Sequence, residues 1–158
     1  MTDFDALLAA LTSHEVAFIV VGGAAGIAHG SARLTEDLDI VYDRSSGNLV
    51  RLVAALSEHN PYLRGVPPGL PFHWDLTTLR RGLNFTLVTS LGDIDLLGEI
   101  PGGGSYSDLR SGAVELNLFG TQCLCLSVAQ LIRAKRAAGR PRDLEALAEL
   151  EAIEEELS

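Results

Sequence analysis

The stretch "VGGAAGIAHGSARLTEDLDI", Val21 to Ile40, decides how this 158-residue chain is read. It is entered through "VAFIVVGG" (16–23), an apolar run with the composition of a buried strand that ends in a glycine turn. "AAGIAHG" (24–30) is small enough for a helix packed tightly on that strand. "DLDIVYD" (37–43) alternates polar and apolar residues and predicts a second strand. On a strand, residues i and i+2 face one side, ~6.6 Å apart along the axis. Asp37 and Asp39 therefore project together, while Leu38 and Ile40 point into the core. Two neighbouring carboxylates repel, and a divalent cation removes the repulsion. Hard oxygen ligands select Mg²⁺, which normally comes with a phosphate substrate. Gly22 and Gly23, at a helix N-terminus, would offer bare backbone N–H groups to phosphate oxygens.

A two-metal phosphoryl site, with ions ~3.5–4 Å apart, needs a third carboxylate from another strand. "LGDIDLLGEI" (91–100) supplies Asp93 and Asp95, again at i and i+2. Asp95 lies between Ile94 and Leu96, within the strand proper, and is assigned as the third carboxylate. Asp93 follows Leu91-Gly92 directly and is the alternative, placed at the turn. The role of Asp95 would be metal binding and orientation or deprotonation of an attacking hydroxyl.

Around these blocks the chain alternates helix and strand. "DFDALLAALTSHE" has helical spacing with Thr2 or Asp3 as N-cap, and "SSGNLVRLVAALSEHN" is a serine-capped helix stopped at Asn60-Pro61. "RGVPPGLP" is a loop, and "HWDLTTLRRG" fits either a short strand or a helical turn. "LNFTLVTS" and "DIDLLGEI" are strands joined by a tight turn around Leu91-Gly92. "PGGGSYSD" is expected to be flexible. "AVELNLFG" and "QCLCL" are short strands. "SVAQLIRAKRAAG" is a helix capped by Ser127 and ended by Gly139. The last helix, "RDLEALAELEAIEEEL", carries a narrow apolar face through Leu144, Leu147, Leu150 or Ala148, Ile153 and Leu157. This order predicts an α/β (α+β) chain with a small mixed β-sheet flanked by helices. It would form one domain over 1–158, with a core at 16–120 and a C-terminal helical segment at 127–157.

Composition narrows the function classes. Apolar residues make up 47% and exclude general disorder. No apolar run reaches the ~18 residues of a membrane span, and the acidic N-terminus is not expected to act as a signal peptide, so the expected compartment is the cytoplasm. The net charge of −9 argues against a broad nucleic-acid-coating surface. The charge is uneven: Arg133, Lys135, Arg136, Arg140 and Arg142 form a basic segment, and seven acids without a base follow from Asp143. Cys123 and Cys125 are read as small apolar-like residues, since a metal site needs more ligands. His29 and "HWD" (73–75) are read as packing residues. A strand, glycine turn, helix and later acid (Asp43) outline a dinucleotide-binding half, but "GGAAG" lacks the G-x-G-x-x-G fingerprint. No G-x-x-x-x-G-K-[ST] is present, which excludes a P-loop.

Taken in order, Gly22-Gly23, the Asp37/Asp39 pair and the later Asp95 resemble the nucleotidyltransferase superfamily, with its polymerase-beta-like fold. Arg33 and Thr35 before the aspartates, and Lys135, Arg142 and Asp143 in the tail, look closest to AbiEii-type proteins of toxin–antitoxin systems. The resemblance covers most of residues 18–150. It implies that Gly22 and Gly23 hold the triphosphate of a nucleoside triphosphate and that Asp37 and Asp39 hold Mg²⁺, with Asp95 at a second ion or at the nucleophile. Lys135 would contact phosphate or help activate the acceptor, while Arg33, Thr35 and Asp143 support nucleotide binding. The implied acceptor is a hydroxyl on RNA, such as a tRNA end, or on a protein, and the implied partner is a cognate toxin or antitoxin. The alternative is a catalytically inactive binding or antitoxin module of the same fold. Ala24 departs from the pattern: many members carry serine directly after the glycines.

Overall fold

The computed structural model describes residues 1–157. Helix α1 (Phe4–Ser13) leads into β1 (Phe18–Val21), α2 (Gly22–Ala28), β2 (Asp37–Tyr42) and α3 (Ser46–Leu56). A 3₁₀ turn at Ser57–His59 precedes β3 (Tyr62–Leu63), α4 (Leu76–Arg81), β4 (Phe85–Thr89) and β5 (Gly92–Leu97). Then come β6 (Glu99–Ile100), β7 (Gly104–Ser105), α5 (Tyr106–Arg110), β8 (Val114–Leu118) and β9 (Thr121–Cys125), closed by α6 (Val128–Ala138) and α7 (Pro141–Leu157).

Seven strands form one mixed sheet in the order β3-β4-β5-β2-β1-β9-β8. β1 and β2 are antiparallel, with Val21 opposite Asp39. That direction rules out a dinucleotide-binding half, whose crossover joins parallel strands. β2 and β5 run parallel, with Asp37 beside Asp93 and Asp39 beside Asp95. The two-residue alternation of β2 and β5 sorts their side chains, except that Val41, on the acid-bearing face of β2, is buried as well. Leu38, Ile40 and Tyr42 of β2, and Ile94 and Leu96 of β5, are fully buried, and the acids occupy the opposite face. Register is thereby set by the core, because a slip of one residue would bury every acid.

Local chemistry explains the helix ends. Asp3 caps α1 by accepting from the Ala6 amide, and Asp75 caps α4 by accepting from Thr78, which resolves the ambiguous "HWDLTTLRRG" as helix. Ser127 and Gln130 form a capping box on α6, and Gly139 ends it in the left-handed conformation. Asn48 locks α3 to the start of β1, accepting from the Ala17 amide and donating to the Ala17 and Asp43 carbonyls.

Three expectations are corrected. "PGGGSYSD" is ordered: β6 pairs with β7 around Gly102-Gly103, and Ser105 and Asp108 make a capping box on α5. Asp93 is not a turn residue but lies inside β5, beside Asp37. Of the expected face of α7, Leu150 is buried and Leu147 and Ile153 pack against the core, but Leu144 and Leu157 stay exposed, and the helix buries Asp143 and Ala146 as well. The charged residue belongs to that seam because cations from α6 and the α6–α7 turn meet it there. Among the described residues no helix is long and apolar enough to cross a membrane.

Candidate functional site

The parallel pairing of β2 and β5 brings together acids more than fifty residues apart in the chain. One carboxylate oxygen from each of Asp37, Asp39 and Asp95 lies within 4.8 Å of the others. Three hard oxygen ligands on one sheet face are a donor set suited to a divalent cation. Among the described residues, the buried Oδ1 of Asp39 finds no hydrogen-bond partner. An unpartnered buried carboxylate oxygen costs free energy that a cation would recover, so these residues fit a metal ion.

Electrostatics point the same way. The Asp39 carboxyl is pushed up to about 8, by burial first and then by the charges of Asp37 and Asp95, with Lys135 opposing the rise. Asp37 is also raised, by burial and by Asp95, against the pull of Arg64. These shifts follow from how poorly the cluster tolerates its own negative charge without a cation.

The two glycines have a steric role beside the one expected from their amides. Gly22 has φ +64°, and a Cβ there would come 2.5 Å from Asp39 Oδ2. A Cβ on Gly23 would come 2.8 Å from Thr35 Oγ1. The pair thus lets α2 start in direct contact with Asp39 and Thr35. Thr35 in turn donates to the Asp37 carbonyl at 3.1 Å, fixing the entry to β2. Ala24 is fully buried in the core, so its side chain is turned away from the cavity described next.

A cavity of about 460 Å³ opens over the acids. Asp37, Asp39 and Asp95 line one side, and Lys135, Arg140 and Arg142 line another. Asp143, fully buried, organises the basic side. It accepts from Lys135 Nζ at 3.2 Å and from Arg140 Nε at 2.6 Å. Its carboxyl is held down at about 2, by Arg140 first and then by Lys135. Arg33 reaches the cavity but is half exposed, 4.0 Å from Glu145. The loop that carries Arg33 is tied to α7: Glu149 accepts from Ser31 Oγ at 2.6 Å and from the Ala32 amide at 3.2 Å. His29 bonds the Leu126 carbonyl at 2.7 Å, in keeping with a packing role.

One residue of the cluster escapes a reading of the sequence. Arg64, just past β3, sends Nη2 to Asp95 Oδ1 at 2.7 Å and lies 3.6 Å from Asp37 and 3.5 Å from Asp93. It sits in a stretch that reads as loop, and β3 has only two residues, so no periodicity marks it.

No family model matches the sequence, and no curated protein matches it. Among solved structures, the fold is similar to that of a candidate nucleotidyltransferase from Thermotoga maritima, with a TM-score of 0.57 and 16% identity. The match covers 90% of this chain and 86% of that one. The chain therefore has the mixed α/β fold of that protein, with an acidic triad able to hold a metal ion on its sheet.

Proposed function

We propose that the protein is a metal-dependent nucleotidyltransferase that moves a nucleoside monophosphate from a nucleoside triphosphate to a hydroxyl acceptor. The observation that carries this reading is the juxtaposition of the Asp37/Asp39/Asp95 triad with the Lys135/Arg140/Arg142 wall across one cavity. A polyphosphate chain needs cations along its length and a metal at the reacting phosphorus, and this cavity presents basic side chains for the first and a carboxylate donor set for the second.

When bound, Mg²⁺ supplies Lewis-acid stabilisation of charge on the phosphate oxygens. The chain's own residues do the rest. Asp37, Asp39 and Asp95 would hold the ions, two by analogy with phosphoryl-transfer sites, and Asp95 would also orient the attacking hydroxyl. Gly22 and Gly23 bring backbone amides to the phosphates, with Thr35 setting the loop beside them. Lys135, held by Asp143, contacts phosphate, and Arg33 and Arg142 add positive charge at the rim. Residues 1–158 act as one unit, since α6 and α7 provide the basic wall. An acceptor on RNA, such as a tRNA end, or on a protein, together with a toxin–antitoxin setting, follows from the motif resemblance alone.

The test is transfer of label from α-labelled nucleoside triphosphates to RNA and to protein, with and without Mg²⁺. Transfer that needs the metal and is abolished by Asp37→Ala or Asp39→Ala, in folded variants, supports the enzyme. No transfer and no nucleotide binding by calorimetry overturns it. Nucleotide binding without transfer selects the inactive binding module, a reading favoured by the contact that Arg64 already makes with Asp95.

A further inference from the structure

The shared face of β2 and β5 carries four carboxylates, Asp37, Asp39, Asp93 and Asp95, and one guanidinium reaches three of them. Arg64 is held for that task. Its amide donates to the Thr86 carbonyl at 2.9 Å, and Nη2 donates to the Leu87 carbonyl at 2.8 Å as well as to Asp95. The pairing of Tyr62 and Leu63 with β4 is what delivers it to the acids. The cluster is therefore divided. Asp37, Asp93 and Asp95 share Arg64, while among the described residues Asp39 Oδ1 and Arg64 Nε are left without a hydrogen-bond partner.

We propose that Arg64 is a resident counter-cation of the metal centre. It supplies at Asp93 and Asp95 the positive charge that a second divalent ion would otherwise bring, so the free chain takes up one divalent ion rather than two. The inference rests on the metal centre proposed above and adds a residue and an ion count to it. A planar guanidinium can address several carboxylate oxygens at once, which a lysine ammonium on a flexible stem cannot match. A second ion then requires either the added negative charge of a bound phosphate or withdrawal of Arg64 from Asp95.

The experiment counts Mn²⁺ bound to the full chain without nucleotide, from the electron paramagnetic resonance signal of the free ion. The wild type is expected to bind one ion. Arg64→Gln should bind two, with the first about tenfold tighter or more, because the repulsion between the guanidinium and the incoming cation is removed. Adding Asp95→Asn to Arg64→Gln should return the count to one. The same affinity and count in wild type and Arg64→Gln would overturn the role of Arg64 and leave the metal centre standing. Two ions in the wild type would do the same, and that measurement needs no variant to fold. No Mn²⁺ bound by any form would overturn the metal centre and this inference together.

Discussion

Asp39 shows how much one residue's surroundings dictate. Its carboxyl is pushed up to about 8 by burial, then by Asp37 and Asp95, whereas in the unfolded chain it titrates near ~3.9. A carboxyl raised in this way contributes stability while protonated; the contribution is complete below about pH 4 and is lost as pH rises through about 8. Denaturant unfolding of the metal-free protein should therefore show stability falling across that window, and Asp39→Asn should flatten the slope. Stability that rises over the same window would contradict the assignment. Binding of Mn²⁺ near neutral pH should release about one proton, read by calorimetry in buffers of different ionisation enthalpy. Gly22 sets the complementary steric limit. Gly22→Ala forces a side chain into positive φ and against Asp39 Oδ2. It should cost about 1–3 kcal/mol of stability, measured by denaturant unfolding, and weaken Mn²⁺ binding as well.

Between elements, the decisive contact is the one joining α6 to α7. Asp143 is buried, and its carboxyl is held down at about 2 by Arg140 and then Lys135. That contribution is present above about pH 4 and disappears as pH falls through about 2, so it adds to acid unfolding and not to alkaline loss. Removing one partner of a fully buried ion pair costs ~3–5 kcal/mol, but the Arg140 side chain is 55% exposed, which weakens the effect. Asp143→Asn should thus destabilise by about 2 kcal/mol in denaturant melts. Because it also frees Lys135, the apparent KM for nucleoside triphosphate should rise; an unchanged KM would show that Lys135 needs no positioning. The short elements are also where sequence patterns lose force. β3 spans two residues and β6 and β7 two each, too few for a period of two to register. "PGGGSYSD" reads as flexible from its glycines, yet a short hairpin and a capping box order it, and Gly102 lies so close to α6 that a Cβ there would come 2.7 Å from Ala137.

At the scale of the whole molecule, four acids share one sheet face in a chain of net charge −9. A cation bound there stabilises the folded state alone. At a hundredfold excess over its dissociation constant the gain is ~2.7 kcal/mol, roughly 5–10 °C in Tm for a domain of this size. Thermal unfolding with EDTA and then with Mn²⁺ should show that rise, and Asp37→Asn with Asp39→Asn should abolish it. Much of this arrangement was legible in order. The alternation of Asp37, Leu38, Asp39 and Ile40 determined, by the two-residue period of a strand, that both acids face away from the core. Gly22-Gly23 after an apolar run marked the turn into α2, and Ser127 and Gly139 bounded α6 through their capping chemistry. What no local pattern carries is which strands become neighbours. Only the tertiary pairing of β2 with β5 set Asp39 beside Asp95 and drew Asp93 in from its expected turn. Only the edge pairing of β3 with β4 placed Arg64 among them. The physical reason is that side-chain direction follows from each residue's own backbone, while strand adjacency and the charge balance of a site arise from contacts between segments far apart in the chain.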